Sequence, residues 1–253
     1  MRALAVVTGA SAGIGRETAL ALAAAGLDVL TVARRADVLA AGASEHLHPV
    51  TADVTTAEGQ DRIRAAVDGR PVAILVHGAG YFPRGRIAKL PKSDWSTALA
   101  TNVQARLDLV LALEASLKGG RVLFVGSDAA KNARLGGSAY SVSKAASEML
   151  WRCLRVELGE EIAFGMAKPG LVETAMLEES LAAPREDFPA GAVYEAMRER
   201  GETIAAATVA EFFRFLLLEA TREEFAADLW DIRDASHHPR WLQHPLYVPR
   251  SGR

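Results

Sequence analysis

Tyr140 and Lys144 stand four residues apart at the start of a long helical pattern, and Ser127 precedes Tyr140 by thirteen. A helix puts residues at that four-residue spacing on one face, within reach of a common ligand. A free tyrosine has a pKa near ~10 and exchanges protons poorly at neutral pH. A neighbouring ammonium favours the phenolate, lowers that value and fits the phenol for general acid–base work. Ser127 closes the apolar run Val122-Leu123-Phe124-Val125-Gly126, which reads as a buried parallel strand. Delivered beside Tyr140, its hydroxyl can hydrogen-bond an oxygen on which charge develops. A Tyr–Lys pair on a solvated helix face is the bland alternative, and the surrounding chain must decide between them.

The elements needed to position these groups follow an alternating β/α rhythm. Ala3–Val7 is a short apolar strand, and Thr8-Gly9-Ala10-Ser11-Ala12-Gly13-Ile14-Gly15 leads from it into an amphipathic helix ending near Ala25. Strand, glycine turn and helix make a dinucleotide-binding unit. The glycines permit close backbone approach, and the helix N-terminus offers free N–H groups to a pyrophosphate. A second strand, Asp28–Val32, ends in Ala33-Arg34-Arg35. An acid about 20 residues past the turn usually meets a ribose 2′-hydroxyl. Its absence here, with two arginines in place, favours a 2′-phosphate and therefore NADP(H) over NAD(H). Further strands are expected at Leu47–Val50, Val72–Val76, Val122–Ser127, Ile162–Ala167 and Leu229–Ile232. Asp53, followed by Val54, either holds an adenine amino group or belongs to the N-cap region of the next helix.

Other features read more plainly. His77 opens the turn His77-Gly78-Ala79-Gly80 and is expected to be a hydrogen-bonding turn residue. Asn102 lies mid-helix, where asparagine is unfavourable, beside an apolar stripe of Trp95, Leu99, Val103 and Leu107. Residues Met176–Gly201 look irregular and suggest a substrate-binding lid. A last helix is expected over Val209–Leu218. Residues 233–253 form a tail whose His237, His238 and His244 read as surface residues rather than metal ligands. Cys153, the single cysteine, sits among Trp151, Leu154 and Val156 and is expected to be buried and inert. A net charge of −2 gives no reason to expect nucleic acid or an anionic membrane. With one cysteine, no apolar run of membrane-spanning length and no leader pattern, the chain reads as a cytoplasmic single domain, 1–253.

Taken together, TGASAGIG, Asp53, HGAG, Asn102, Ser127, YSVSK and PGLVET occur in an order that resembles the short-chain dehydrogenase/reductase family, from Ala3 to about Ile232. The resemblance implies an α/β fold: a Rossmann-like, doubly wound sheet of about seven mostly parallel strands flanked by helices. It implies that Tyr140 exchanges the proton while hydride passes between nicotinamide and a carbonyl or secondary alcohol. Lys144 would lower the Tyr140 pKa and bond the nicotinamide ribose, Ser127 would hold the substrate oxygen, and Asn102 would position a water for proton return. Gly9, Ser11, Gly13, Ile14 and Gly15 would line the pyrophosphate and ribose, with Val54, Gly78, Ala79, Pro169 and Gly170 along the remaining cofactor. Val172 and Thr174 would take the carboxamide. The helices carrying Asn102 and Tyr140 imply a homodimer or homotetramer.

The chain departs from the family pattern in two places. HGAG replaces the commoner NNAG, which implies altered bonding between strands four and five. The chain after the last strand lacks the usual Val-Asp-Gly-Gly turn, which weakens a fatty-acid-type ketoreductase reading. A nucleotide-binding sensor without turnover and an epimerase or dehydratase on the same fold stay open alternatives.

Overall fold

The computed structural model describes residues 2–247. Its central sheet is built from β1 (Leu4–Thr8), β2 (Asp28–Ala33), β3 (Leu47–Thr51), β4 (Val72–His77), β5 (Arg121–Val125) and β6 (Ala163–Lys168). The strand at Leu229–Asp231, β9, completes it; Val172–Glu173 (β7) and Ile204–Ala205 (β8) form a separate parallel pair that the sequence reading did not anticipate. All seven strands of the central sheet run parallel, in the order β3-β2-β1-β4-β5-β6-β9. Helices cover both faces, as an all-parallel sheet requires.

Side-chain alternation along β1 shows how the sequence achieves this. Ala5 and Val7 enter the core shared with α1 (Gly13–Ala24) and the late helix Ala206–Leu218, α10. Leu4 and Val6 point the other way, into the core containing Ile63, Leu109 and Trp151. Those residues come from α3 (Ala57–Val67), α5 (Ala105–Ala112) and α7 (Ser138–Leu158). Strand order reverses between β1 and β4, so the crevice beyond their carboxyl ends is where a ligand binds in such a sheet. The remaining short helices are α2 (Ala36–Ala41), α4 (Lys92–Leu99), α6 (Glu114–Leu117), α8 (Ala175–Ala182), α9 (Gly191–Glu199) and α11 (Arg222–Ala227).

Four expectations need correction. The helix expected from Ser93 onward is divided: a π-helical turn, Ala100–Gln104, joins α4 to α5. Its buried line runs through Ala98, Asn102, Ala105, Arg106 and Leu109, while Leu99 is 39% exposed. The Trp95–Leu107 stripe lies one residue, about 100°, from that line. Small residues occupy the inner face because α7 packs directly against it.

Cys153 is exposed, two residues and about 200° around α7 from the buried Trp151. Residues 176–201 are largely helical, as α8 and α9. His237 is buried: its ring stacks on Phe212 at 5.1 Å and accepts the Trp241 indole N–H at 2.9 Å. His244 does lie at the surface, and residues 248–253 of the expected tail fall outside the described residues.

Candidate active site

Two glycines at strand ends close the floor of the crevice. Gly9, with φ +70°, leads out of β1, and a Cβ there would lie 2.7 Å from the Ala79 nitrogen. A Cβ on Gly78 would sit 2.4 Å from the Thr8 carbonyl oxygen. Only glycine lets these two strand ends touch, so the HGAG turn is part of the same close approach that the first glycine turn makes. Val54 flanks a much smaller void beneath this junction, together with Thr8 and His77.

The residues expected at a dinucleotide form a consistent cradle. The N-terminus of α1 has no side-chain cap and no acid in its first turn, which leaves its N–H groups free for a pyrophosphate. Thr174 stands against Gly13, where a Cβ would come within 3.1 Å of it. Arg35 donates to the Ser11 hydroxyl at 3.2 and 2.9 Å, so one guanidinium already reaches back to the glycine turn. Arg34 lies 3.9 Å from Asp53, whose carboxylate also accepts from the Thr55 backbone and hydroxyl. Burial pushes the Asp53 pKa up, but those Thr55 bonds and the Arg34 charge leave it below its ordinary value. Asp53 is thus engaged locally, while Thr56 caps α3 by accepting from the Gly59 N–H. The residues present fit a phosphate-bearing nucleotide.

Beyond β5, Ser127 caps a short turn by accepting from the Ala129 N–H at 3.2 Å. Together with Tyr140 and Lys144 it lines a cavity of about 190 Å³ that reaches Ile14, Gly78, Ala79, Pro169, Gly170, Val172 and Thr174. Tyr140 is partly buried, with its ring stacked on Phe82 at 4.2 Å between centroids. Burial raises its pKa above the ordinary phenol value, against a hydrogen bond from Ser127 and the charge of Arg106, which pull it down.

Lys144 sits beside Tyr140 on the same helix face. Its ammonium donates to the Val125 carbonyl at 3.0 Å and lies 5.4 Å from the centre of the Tyr140 ring. Burial, and then Arg106, push its pKa well below that of an ordinary lysine. Asn102 is wholly buried and clamps two elements together. Its oxygen accepts from the Tyr81 N–H at 2.9 Å, and its amide donates to the Tyr81 carbonyl and to Ser143, next to Lys144. These bonds explain an asparagine inside a helix, where the π-helical turn frees it from regular packing.

Arg106 escaped the sequence reading. It is 2% exposed, donates to Ser147 at 3.0 Å and reaches the Val125 and Ala79 carbonyls at 3.4 and 3.5 Å. It therefore ties together the ends of β4 and β5. Burial lowers its pKa to about 10, which leaves it charged at neutral pH. His77 differs from the hydrogen-bonding turn residue expected: it is the last residue of β4, buried against Phe124, and its Nε2 has no partner among the described residues. Burial and Arg106 hold it neutral, well below its ordinary pKa. The signal in the sequence was a lone arginine four residues after Asn102, on the same helix face. Phe82 and Leu177 were missed as well; they line the cavity with Tyr194 and join Phe188 in a small separate core.

Comparison with known proteins settles the family. The sequence pattern described as short chain dehydrogenase matches residues 3–185. The chain belongs to the short-chain dehydrogenase/reductase family. It is 31% identical over 185 residues to 2,3-dihydro-2,3-dihydroxybenzoate dehydrogenase of Bacillus subtilis, covering 68% of this chain and 71% of that one. Among solved structures, the KRED1-Pglu enzyme superposes with a TM-score of 0.82 at 27% identity, over 90% of this chain and 99% of the other. An alcohol dehydrogenase from the archaeon Thermococcus sibiricus, complexed with 5-hydroxy-NADP, gives 0.78 at 25% identity, over 92% and 97%. The parallel seven-stranded sheet is this family's Rossmann-like fold, and its members are oxidoreductases that use nicotinamide nucleotides. Among the described residues no helix is long and apolar enough to cross a membrane.

Proposed function

We propose that this short-chain dehydrogenase is an NADP(H)-dependent oxidoreductase, exchanging hydride with a carbonyl or secondary alcohol, in which Tyr140 is the general acid and base. One observation carries the reading: Ser127, Tyr140 and Lys144 line the same cavity as Ile14, Val172 and Thr174 of the nucleotide cradle. The nicotinamide supplies the hydride when bound, and the side chains supply orientation and the proton. Ser127 and Tyr140 hydrogen-bond the substrate oxygen, and the Tyr140 hydroxyl gives its proton as the alkoxide forms. Lys144, fixed by the Val125 carbonyl, would hydrogen-bond the nicotinamide ribose when the nucleotide is bound. Asn102 acts as a positioning residue by holding the Tyr81 backbone to Ser143. Residues 176–201 cover the substrate side. NADPH and NADH oxidation over a broad panel of ketones and aldehydes tests the reading, with alcohols and NADP+ for the reverse direction. Tight NADPH binding with no turnover in either direction would favour a sensor.

The preference for NADP(H) rests on Arg34 and Arg35 at the end of β2, where no acid stands. A charge-assisted bond to a phosphate contributes about 1.5–3 kcal/mol, roughly tenfold to a hundredfold in affinity. Arg35→Ala is expected to raise the NADPH KM by about that factor while moving the NADH KM little. Equal effects on both cofactors would show that the arginine does not meet the 2′-phosphate.

A homodimer is the assembly that the outer faces of α4, α5 and α7 favour, where Leu99, Leu111, Val142, Met149 and Val156 are exposed. Val142→Asp with Met149→Asp is expected to turn a dimer or tetramer into smaller species by light scattering. An unchanged assembly, or a monomeric wild type, would remove these faces from consideration.

A further inference from the structure

Two of the cavity's cations are neutralised by acids and two more are turned onto neutral partners. Lys168 is paired with Asp231 at 2.7 Å and Asp128 at 3.1 Å. Arg233 is paired with the same two carboxylates, at 2.7 and 2.8 Å. Arg106 and Lys144 face inward, on Ser147 and the Val125 carbonyl. Arg134 also lines the cavity and is half-buried, yet among the described residues it has no carboxylate within ion-pair distance and no side-chain hydrogen bond. Its guanidinium lies 5.4 Å from the centre of the ring of Tyr194, a residue of α9.

The backbone that carries Arg134 is fixed from both sides. The Gly137 N–H donates to the Arg134 carbonyl at 2.9 Å, and the Gly136 carbonyl accepts from the Gly85 N–H at 2.9 Å. Gly136 has φ +81°, and a Cβ there would stand 2.1 Å from the Asp187 carbonyl oxygen. No other residue fits that position, so the turn holds one shape and presents the arginine six residues before Tyr140. A guanidinium flanked by an aromatic face and left without an acid suits a planar anion bound through two parallel N–H bonds. The other lining cations are already paired or turned inward, so one free charge matches a monoanion better than a phosphate dianion. Phe82, Leu177 and Tyr194 make the remaining wall apolar.

We propose that Arg134 anchors a substrate carboxylate, and that this enzyme interconverts keto acids and hydroxy acids with an apolar body. The inference rests on the oxidoreductase reading above. The test compares benzoylformate and 3-benzoylpropionate with their methyl esters as NADPH-linked substrates, in wild type and in Arg134→Gln. The expected result is a wild-type preference for an acid over its ester. In the variant that preference falls by about tenfold or more, mainly through KM, and Arg134→Lys restores part of it. A wild-type preference for the esters, or the same acid-to-ester ratio in Arg134→Gln, overturns the assignment. If neither acids nor esters are turned over, calorimetric titration of the NADP+-bound protein with benzoate and benzamide decides the point without catalysis. Tighter binding of benzoate that is lost in Arg134→Gln upholds the anchor, and no discrimination between the two overturns it. Loss of turnover alone counts against the oxidoreductase reading and leaves the anchor to be judged by that titration.

Discussion

Replacing Tyr140 by phenylalanine is expected to lower kcat for carbonyl reduction by about 10²–10⁴-fold, the usual contribution of a positioned general acid. Phenylalanine keeps the ring, so the stacking on Phe82 and the small core around Phe188 survive, and NADPH affinity should stay within a few-fold. The pH dependence carries the same argument. Burial raises the Tyr140 pKa above that of an ordinary phenol, against the hydrogen bond from Ser127 and the charge of Arg106. Reduction requires the protonated phenol and is therefore expected to be flat through neutral pH, falling only on the alkaline side. Oxidation requires the phenolate and should rise with pH over the same range. Arg106→Met removes one influence that lowers this pKa, so its oxidation limb should move to higher pH. A Tyr140→Phe variant with near wild-type kcat would remove the residue from the chemistry.

The largest structural effect is expected at Trp151, on the helix that carries Tyr140 and Lys144. It is fully buried against β6, and its indole N–H donates to the Phe164 carbonyl at 3.0 Å. Trp151→Ala should cost about 3–5 kcal/mol from lost packing and the cavity left behind. At about 2–4 °C per kcal/mol for a chain of this size, Tm should fall by roughly 6–20 °C. Trp151→Phe separates the two contributions, because it retains most of the apolar volume and leaves the Phe164 carbonyl unpaired, at about 1–3 kcal/mol. Urea unfolding of both variants checks the order. A loss below about 1 kcal/mol in the alanine variant would mean that the interface between α7 and β6 is not the anchor described here.

The parallel strands were legible because each is a short apolar run buried on both faces, and such runs announce themselves without any knowledge of partners. The glycine turn and the Ser127–Tyr140–Lys144 spacing were legible because they are local. What the sequence hid depends on distant contacts. The Trp95–Leu107 stripe looked like a core face, but the tight fit of α4 against α7 needs Ala98 and Asn102 inside, and the stripe is displaced outward. His237 is buried by Phe212 and Trp230, neither of which its own neighbourhood reveals. Residues 176–201 hid α8 and α9 because Pro184, Pro189 and Gly191 interrupt the periodicity between them. Arg106 gains its buried partners only through the approach of the β4 and β5 carbonyl ends, which its own neighbourhood does not reveal.

Hydride transfer itself is the central claim, and isotope transfer tests it most directly. Wild-type protein with NADPH deuterated at the transferring C4 position would be incubated with the carbonyl panel, and the products analysed by mass spectrometry and NMR. The expected product is an alcohol carrying deuterium on its carbinol carbon, formed in stoichiometry with NADP+ and absent from Tyr140→Phe on the same timescale. Tight NADPH binding with no deuterium in any product, and none returned from deuterated alcohols to NADP+, would contradict hydride transfer.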